Sequence, residues 1–235
     1  MNAVSGIFGS NPWRRRAASI ALMVLLAALA VQAARLGIAD AYERTARLEI
    51  ARWGNRSVNQ QNLARAIGLV TESLRYAPHH PSALEDLAGL QLRQMHAATD
   101  SQLAVALARD AYLNFRLALV ERPTAAVNWA RLALTKLYLA EQDEELFSAL
   151  RLSLELGPRD PGVPELVLHL GMALWPKIDP DLRREVIRAL GLSASRDARA
   201  AFAIGKSYGR FDLMCDISAL RALAGNACEQ LHKID

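Results

Sequence analysis

The sequence predicts an all-α protein: a single N-terminal transmembrane helix followed by an array of α-hairpins. Three observations carry that expectation. Apolar residues make up 52% of the 235, led by Leu and Ala, while β-branched and aromatic residues are sparse; Leu, Ala, Arg and Glu lose little rotamer freedom in a helix. Residues 17–34 form an uncharged apolar run. One phrase, Ser-Leu-x-x-x-Pro-x-x-Pro, occurs twice, as SLRYAPHHP from Ser73 to Pro81 and as SLELGPRDP from Ser153 to Pro161, each time between apolar helical stretches.

The apolar run, AASIALMVLLAALAVQAA, contains one Gln and no charge. As a helix it covers roughly 27 Å, about the hydrocarbon thickness of a bilayer. A buried core helix would show a polar face, and this run has none. Val31-Gln32-Ala33 is a passable signal-peptidase site, but the run is longer than a signal core and continues into a helical pattern without a turn residue. An uncleaved anchor is therefore expected over a cleaved signal. Arg14, Arg15 and Arg16 precede it, which puts the amino terminus in the cytoplasm and the rest of the chain in the periplasm of a bacterial-type cell.

The net charge of +4 is concentrated beside this segment. Residues 1–34 hold the three arginines and no acid; the remainder carries 25 Lys and Arg against 24 Asp and Glu. A nucleic-acid binder clusters its excess on one face of the folded domain, so nucleic acid is not expected as a partner.

Beyond the span, residues 38–54 read as a polar continuation of the same helix, stopped at Gly54-Asn55. Helices are then expected near 59–76, 82–97, 101–121, 125–140, 143–156, 162–175, 180–191, 196–209 and 216–224. The expected segments are a cytoplasmic terminus at 1–16, the membrane helix at 17–36, a juxtamembrane helix at 37–57, repeats at 58–192 and capping helices at 193–235. Pro78, Pro123 and Pro158 each follow an apolar helix, 45 and 35 residues apart. A period near 34 built of two helices and a turn is a repeat signature. The difference of about eleven residues is three helical turns, which lengthens helices without rotating their faces.

Around the middle proline, Ala111, Phe115, Ala118 and Pro123, then Trp129 and Leu132, resemble the tetratricopeptide motif. The resemblance covers about Gln60 to Leu190, with Ala133 and Lys136 standing where the motif has Gly and Tyr. The outer units keep Ala66 with Pro78, and Leu150 with Pro158. The resemblance implies that the first helix of each pair lines a binding groove. Arg93, Asn128, Arg131 and Lys136 are the groove residues it suggests.

Within residues 145–191, the pattern of Leu154 to Pro158, Leu170-Gly171, Trp175, Pro180 and Arg183-Arg184 is similar to the helical tails of O-antigen ligase-type proteins. It is also similar to the VpsP type of membrane-anchored accessory proteins of exopolysaccharide clusters. That resemblance implies protein partners in an envelope polysaccharide assembly or export complex.

Cys215 and Cys228 are the only cysteines. In one unbroken helix they would stand about 20 Å apart, so a bridge requires a turn between them, which Gly225-Asn226 offers. The alternatives are a disulfide in an oxidising compartment and two buried thiols. His79-His80 has no further ligand at metal spacing and reads as a polar turn, so no metal is expected. Asp179-Pro180 reads as a helix start, and Asp143-Glu144-Glu145 as a helix N-terminus favoured by the dipole. Enzyme motifs of the Gly-x-Ser-x-Gly, phosphate-loop and His-Glu-x-x-His kinds are absent. The function expected is a non-catalytic scaffold without cofactor, metal or small-molecule site. The alternatives are a direct glycan binder or enzyme using Trp129, Trp175 and arginines, and an adaptor of an unrelated envelope complex.

Overall fold

A computed structural model describes residues 12–53, 59–225 and 228. Residues 1–11 of the expected cytoplasmic terminus, the Gly54-Asn55 stop, Asn226 and the chain end after Cys228 lie outside the described residues. Among those described there is no strand. The helices are α1 (Pro12–Trp53), α2 (Gln60–Tyr76), α3 (Pro81–Ala97), α4 (Ser101–Glu121), α5 (Ala126–Tyr138), α6 (Glu144–Leu156), α7 (Val163–Ala173), α8 (Pro180–Arg196), α9 (Ala198–Ser207), α10 (Phe211–Cys215) and α11 (Ser218–Ala224).

The starts follow capping chemistry. Asn59, Asp100, Asp143, Asp179 and Asp197 each accept a hydrogen bond from a backbone N–H two or three residues on, satisfying one of the donors that a helix N-terminus leaves open. Four ends differ from expectation. α5, α7 and α9 each stop two residues early, at Tyr138, Ala173 and Ser207, α5 where Ala140 takes a left-handed φ of 57°. α8 runs through Gly191 to Arg196, where Asp197 supplies the next cap. The helix expected at 216–224 is preceded by a separate short turn of helix, α10.

The chain divides into two compact units, Met1–Pro78 and His79–Asp235. In the first, α1 is long and apolar enough to cross a membrane, and none of its apolar window is buried. The far half of α1, expected as a polar juxtamembrane continuation of the span, is the packing partner of α2. Ala39, Ala46 and Trp53 are buried there, as are Leu63, Ala66 and Val70 of α2. The Ser73 hydroxyl donates to the Ala39 carbonyl at 2.8 Å, and the Tyr42 and Tyr76 rings stack with centroids 6.2 Å apart.

In the second unit, α3 pairs with α4, α5 with α6 and α7 with α8, while α9, α10 and α11 pack together at the end. Three equivalent positions explain the repeated phrase. Five residues before the prolines stand Ser73, Ala118 and Ser153; eight before, Val70, Phe115 and Leu150; twelve before, Ala66, Ala111 and Leu146; all nine are fully buried. The innermost of these is small every time. The carbonyls of Ser73, Ala118 and Ser153 also accept the last helical N–H, from Ala77, Arg122 and Gly157. Proline one residue later cannot extend the helix, because it lacks an N–H.

Where α7 meets α8 the approach is closer still. A Cβ on Gly171 would lie 2.2 Å from a Val186 methyl carbon, a separation no side chain tolerates. That contact accounts for the Leu170-Gly171 pair.

Lys136 fastens three helices. It is 2% exposed, and its ammonium lies 2.8 Å from Glu145, 2.9 Å from Asp143 and 3.3 Å from Glu141. Tyr112 of α4 donates its hydroxyl to Glu145 at 2.8 Å, and Arg109 of α4 pairs with Glu141 at 2.8 Å. Burial works to lower the Lys136 pKa, but the carboxylates of Glu145, Asp143 and Glu141 more than reverse it and raise it above the ordinary lysine value. The hydrogen bond from Lys136 holds the Asp143 carboxyl below its ordinary range. Burial would raise Glu145, yet the bonds from Lys136 and Tyr112 outweigh it and lower that pKa too.

At the carboxy end, Cys215 and Cys228 form a disulfide with Cα atoms 5.6 Å apart. The required turn is present at Gly225, with φ of 52° and its carbonyl accepting from Cys228 N–H at 3.3 Å. Such a bond is characteristic of an oxidising compartment.

Two measurements check these packing arguments. Lys136→Met should destabilise by about 2 kcal/mol, the cost for a buried charge network being discounted because its carboxylates reach solvent. Depressed carboxylate pKa values stabilise above the unfolded pKa and lose that contribution as pH falls, while the raised lysine loses its own only as pH climbs. Thermal melts should therefore show the difference between wild type and Lys136→Met at full size between about pH 5 and about pH 10, shrinking outside it. Reduction of Cys215–Cys228 should cost on the order of 3 kcal/mol locally. Hydrogen exchange should quicken in α9–α11 and stay unchanged in α3–α6.

Candidate functional site

The first helices of successive hairpins become neighbours in the second unit: α5 packs against α7, and α7 against α9. Where α5 meets α7 lies a cavity of about 710 Å³ lined by Val127 and Arg131 of α5, Pro161 and Gly162 of the preceding turn, Glu165 and Leu166 of α7, and Arg196 at the end of α8. Gly162 shapes the entrance: it caps α7 with φ of 88°, a conformation open to glycine at little cost. The floor is apolar and the rim holds two guanidinium groups and one carboxylate. One Glu165 oxygen is buried without a hydrogen-bond partner among the described residues, and Arg196 donates to the Arg159 carbonyl at 2.6 Å.

Four polar aromatics meet in two pairs across neighbouring elements. His96 meets Tyr138 edge to face with centroids 5.1 Å apart, and His169 meets Tyr208 in the same way at 6.1 Å. Arg131 and Tyr138 are seven residues apart, and Glu165 and His169 four, so each pair shares a helix face. Tyr138 and Tyr208 are each 39% exposed. Burial raises both phenol pKa values, and at Tyr138 the neighbouring Tyr208 adds to it. Burial alone lowers that of His169. These four rings form two half-open aromatic pairs.

The four residues suggested by the sequence separate here. Arg131 lines the cavity, and Arg93 is exposed on α3. Asn128 and Lys136 are not groove residues. Asn128 is fully buried, one position round the helix from Val127 toward the core, and neither polar atom of its side chain finds a partner among the described residues. Lys136 is turned into the network with α4 and α6. Sequence reasoning missed Tyr138, His169, Tyr208, Glu165 and Arg196. The spacing from Arg131 to Tyr138 was a usable signal, whereas the arrival of Arg196 from α8 was not.

A second cavity of about 510 Å³ lies between α6 and α8. Its three arginines are ion-paired, Arg151 with Asp179, Arg184 with Asp181 and Arg188 with Glu185, and Glu155 completes its charged lining. The tryptophans considered for sugar stacking are engaged as well. The guanidinium groups of Arg183 and Arg210 lie over the Trp175 ring at 5.4 and 4.6 Å, and Trp129 donates its indole N–H to the Pro123 carbonyl at 2.7 Å. His79 faces Glu121 at 3.5 Å. Among the described residues no three His, Cys, Asp or Glu side chains converge as a metal site.

The half-buried imidazole offers a check on the His169–Tyr208 pair. Folded His169 should titrate below the ordinary histidine value, so the unfolded chain binds protons more readily and the His169 contribution to stability fades as pH falls through about 6.5. An NMR titration of the His169 ring should show its midpoint below the ordinary histidine value, and His169→Phe should flatten that part of the stability profile.

Compared with known proteins, the chain matches no family of established pattern and no characterised sequence.

Proposed function

We propose that the protein is a single-pass inner-membrane scaffold whose hairpins act in the periplasm. There they hold a protein partner of an exopolysaccharide or O-antigen assembly or export complex. The observation that carries the reading is the charged cavity between α5 and α7, on helices that also carry the partly exposed Tyr138 and His169. Half-exposed tyrosines offer large contact area at low entropic cost, and guanidinium groups add directional bonds; both are favoured at protein interfaces. Stacked hairpins commonly bind through a continuous surface.

The compartment rests on two features. Arg14–Arg16 precede the apolar run, which favours an amino terminus left in the cytoplasm, and Cys215–Cys228 is a bond that persists where thiols are oxidised. The pathway rests on the resemblance within residues 145–191 and on the layout of one span followed by helical repeats.

Photocrosslinking in membranes tests the proposal. A crosslinker at Arg131 or Tyr138 of the full-length chain should yield discrete adducts with another protein. Combining Arg131→Glu with Tyr138→Ser should abolish co-purification of that partner and lower polymer output. Arg184→Glu, between α6 and α8, should leave both intact. No adduct from either position, or undiminished polymer output in the double variant, would overturn it.

A further inference from the structure

The geometry points to a lipid contact in the first unit: the C-terminal end of α2 is seated on phospholipid headgroups at the membrane face from which α1 emerges. This goes beyond the scaffold reading and holds for either orientation of the span, resting only on α1 crossing the bilayer.

The register between α1 and α2 carries the argument. The apolar run ends at Ala34, and Arg35 is the first charged residue after it. α2 runs back along α1 and ends opposite that point. Three contacts fix the alignment: Arg35 donates to the Tyr76 carbonyl at 3.5 Å, Ser73 donates to the Ala39 carbonyl at 2.8 Å, and the Tyr42 and Tyr76 rings stack. At about 1.5 Å per residue, Ala39 lies only about 7 Å beyond Ala34 along the helix. The headgroup layer on each side of the hydrocarbon is about 5–7 Å thick. The last turn of α2 therefore falls at headgroup depth, while Gln60 at its other end stands about 24 Å farther out.

The side chains suit that depth. Tyrosine concentrates at membrane interfaces because its ring is apolar and its hydroxyl is not; Tyr76 stands there, its ring stacked on that of Tyr42 farther out. Arg35 supplies a guanidinium group, which bonds phosphate in a planar fork, while Arg75 is held by Glu72. The exposed carbonyls of a helix C-terminus would repel phosphate. Arg35 on the Tyr76 carbonyl and Arg75 in the last turn, bonded to Glu72 at 2.9 Å, oppose that repulsion. The hairpin thus meets the bilayer at two places, through the span and through the foot of α2.

Depth measurements on the full-length chain in vesicles of phosphatidylethanolamine and phosphatidylglycerol test this. The two natural cysteines are bonded to each other, so single cysteines at Leu25, Gln61 and Arg75 can each carry an environment-sensitive fluorophore. A nitroxide on the lipid headgroup should quench the label at Arg75 several-fold more than the one at Gln61, and an acyl-chain nitroxide should quench the label at Leu25. Equal headgroup quenching at Arg75 and Gln61, with Leu25 in hydrocarbon, would overturn the seating alone. A label at Leu25 that stays in water would overturn the span and the seating together.

Discussion

Every hairpin in this protein depends on two helices coming close enough to exclude water between them, and that distance is set by side-chain size at one recurring position. Ser73, Ala118 and Ser153 occupy it in three hairpins, each fully buried. A larger residue would push the helices apart and uncover the layers behind it, where Val70, Phe115 and Leu150 pack. Serine serves as well as alanine because its hydroxyl is satisfied locally, by the Ala39 carbonyl for Ser73 and by the Leu150 carbonyl for Ser153. The cost of burying an oxygen is thereby removed. Gly171 against Val186 carries the same requirement to its limit.

That constraint is why the fold was legible. Proline and small residues punctuate the sequence at fixed offsets, and punctuation of this kind is local, so helix starts capped by Asp143 and Asp179 could be read directly. Two of the departures are also local in hindsight: Ala140 in a left-handed turn, and Gly191 tolerated inside α8. Pairing was less visible. The far half of α1 carries Arg and Glu along its length and reads as a solvated spacer, yet Ala39 and Ala46 are the positions that α2 covers. Two alanines one helical repeat apart are a weak signal when the neighbouring helix is unknown.

The binding face was legible only in part, because facing inward toward a groove and facing inward toward a neighbouring hairpin obey the same helical spacing. Arg131 and Lys136 sit on one helix, both basic, five residues apart. One lines a cavity; the other is surrounded by Glu141, Asp143 and Glu145. The acidic run after α5 was read as a helix N-terminus, which it is, since Asp143 caps α6. The same carboxylates also neutralise Lys136. A single residue type met two demands, and the sequence displayed only the nearer one.

The continuity of α1 gives these packing rules a mechanical consequence. From Pro12 to Trp53 no residue interrupts the helix, although Gly37 stands just past the span with no neighbour within 4 Å of where a Cβ would lie. Glycine inside a helix costs about 1 kcal/mol relative to alanine, so the join between span and hairpin is the softest point of an otherwise unbroken rod. What stiffens it is α2: Arg35 on one side of Gly37 and Ala39 on the other are both tied to the last turn of α2, through Tyr76 and Ser73. A helix bridged on both sides of its weakest residue resists bending there, because any kink must also break the bonds to its partner. The bonds from α1 to the last turn of α2 thus bridge the glycine and resist a bend in α1 there.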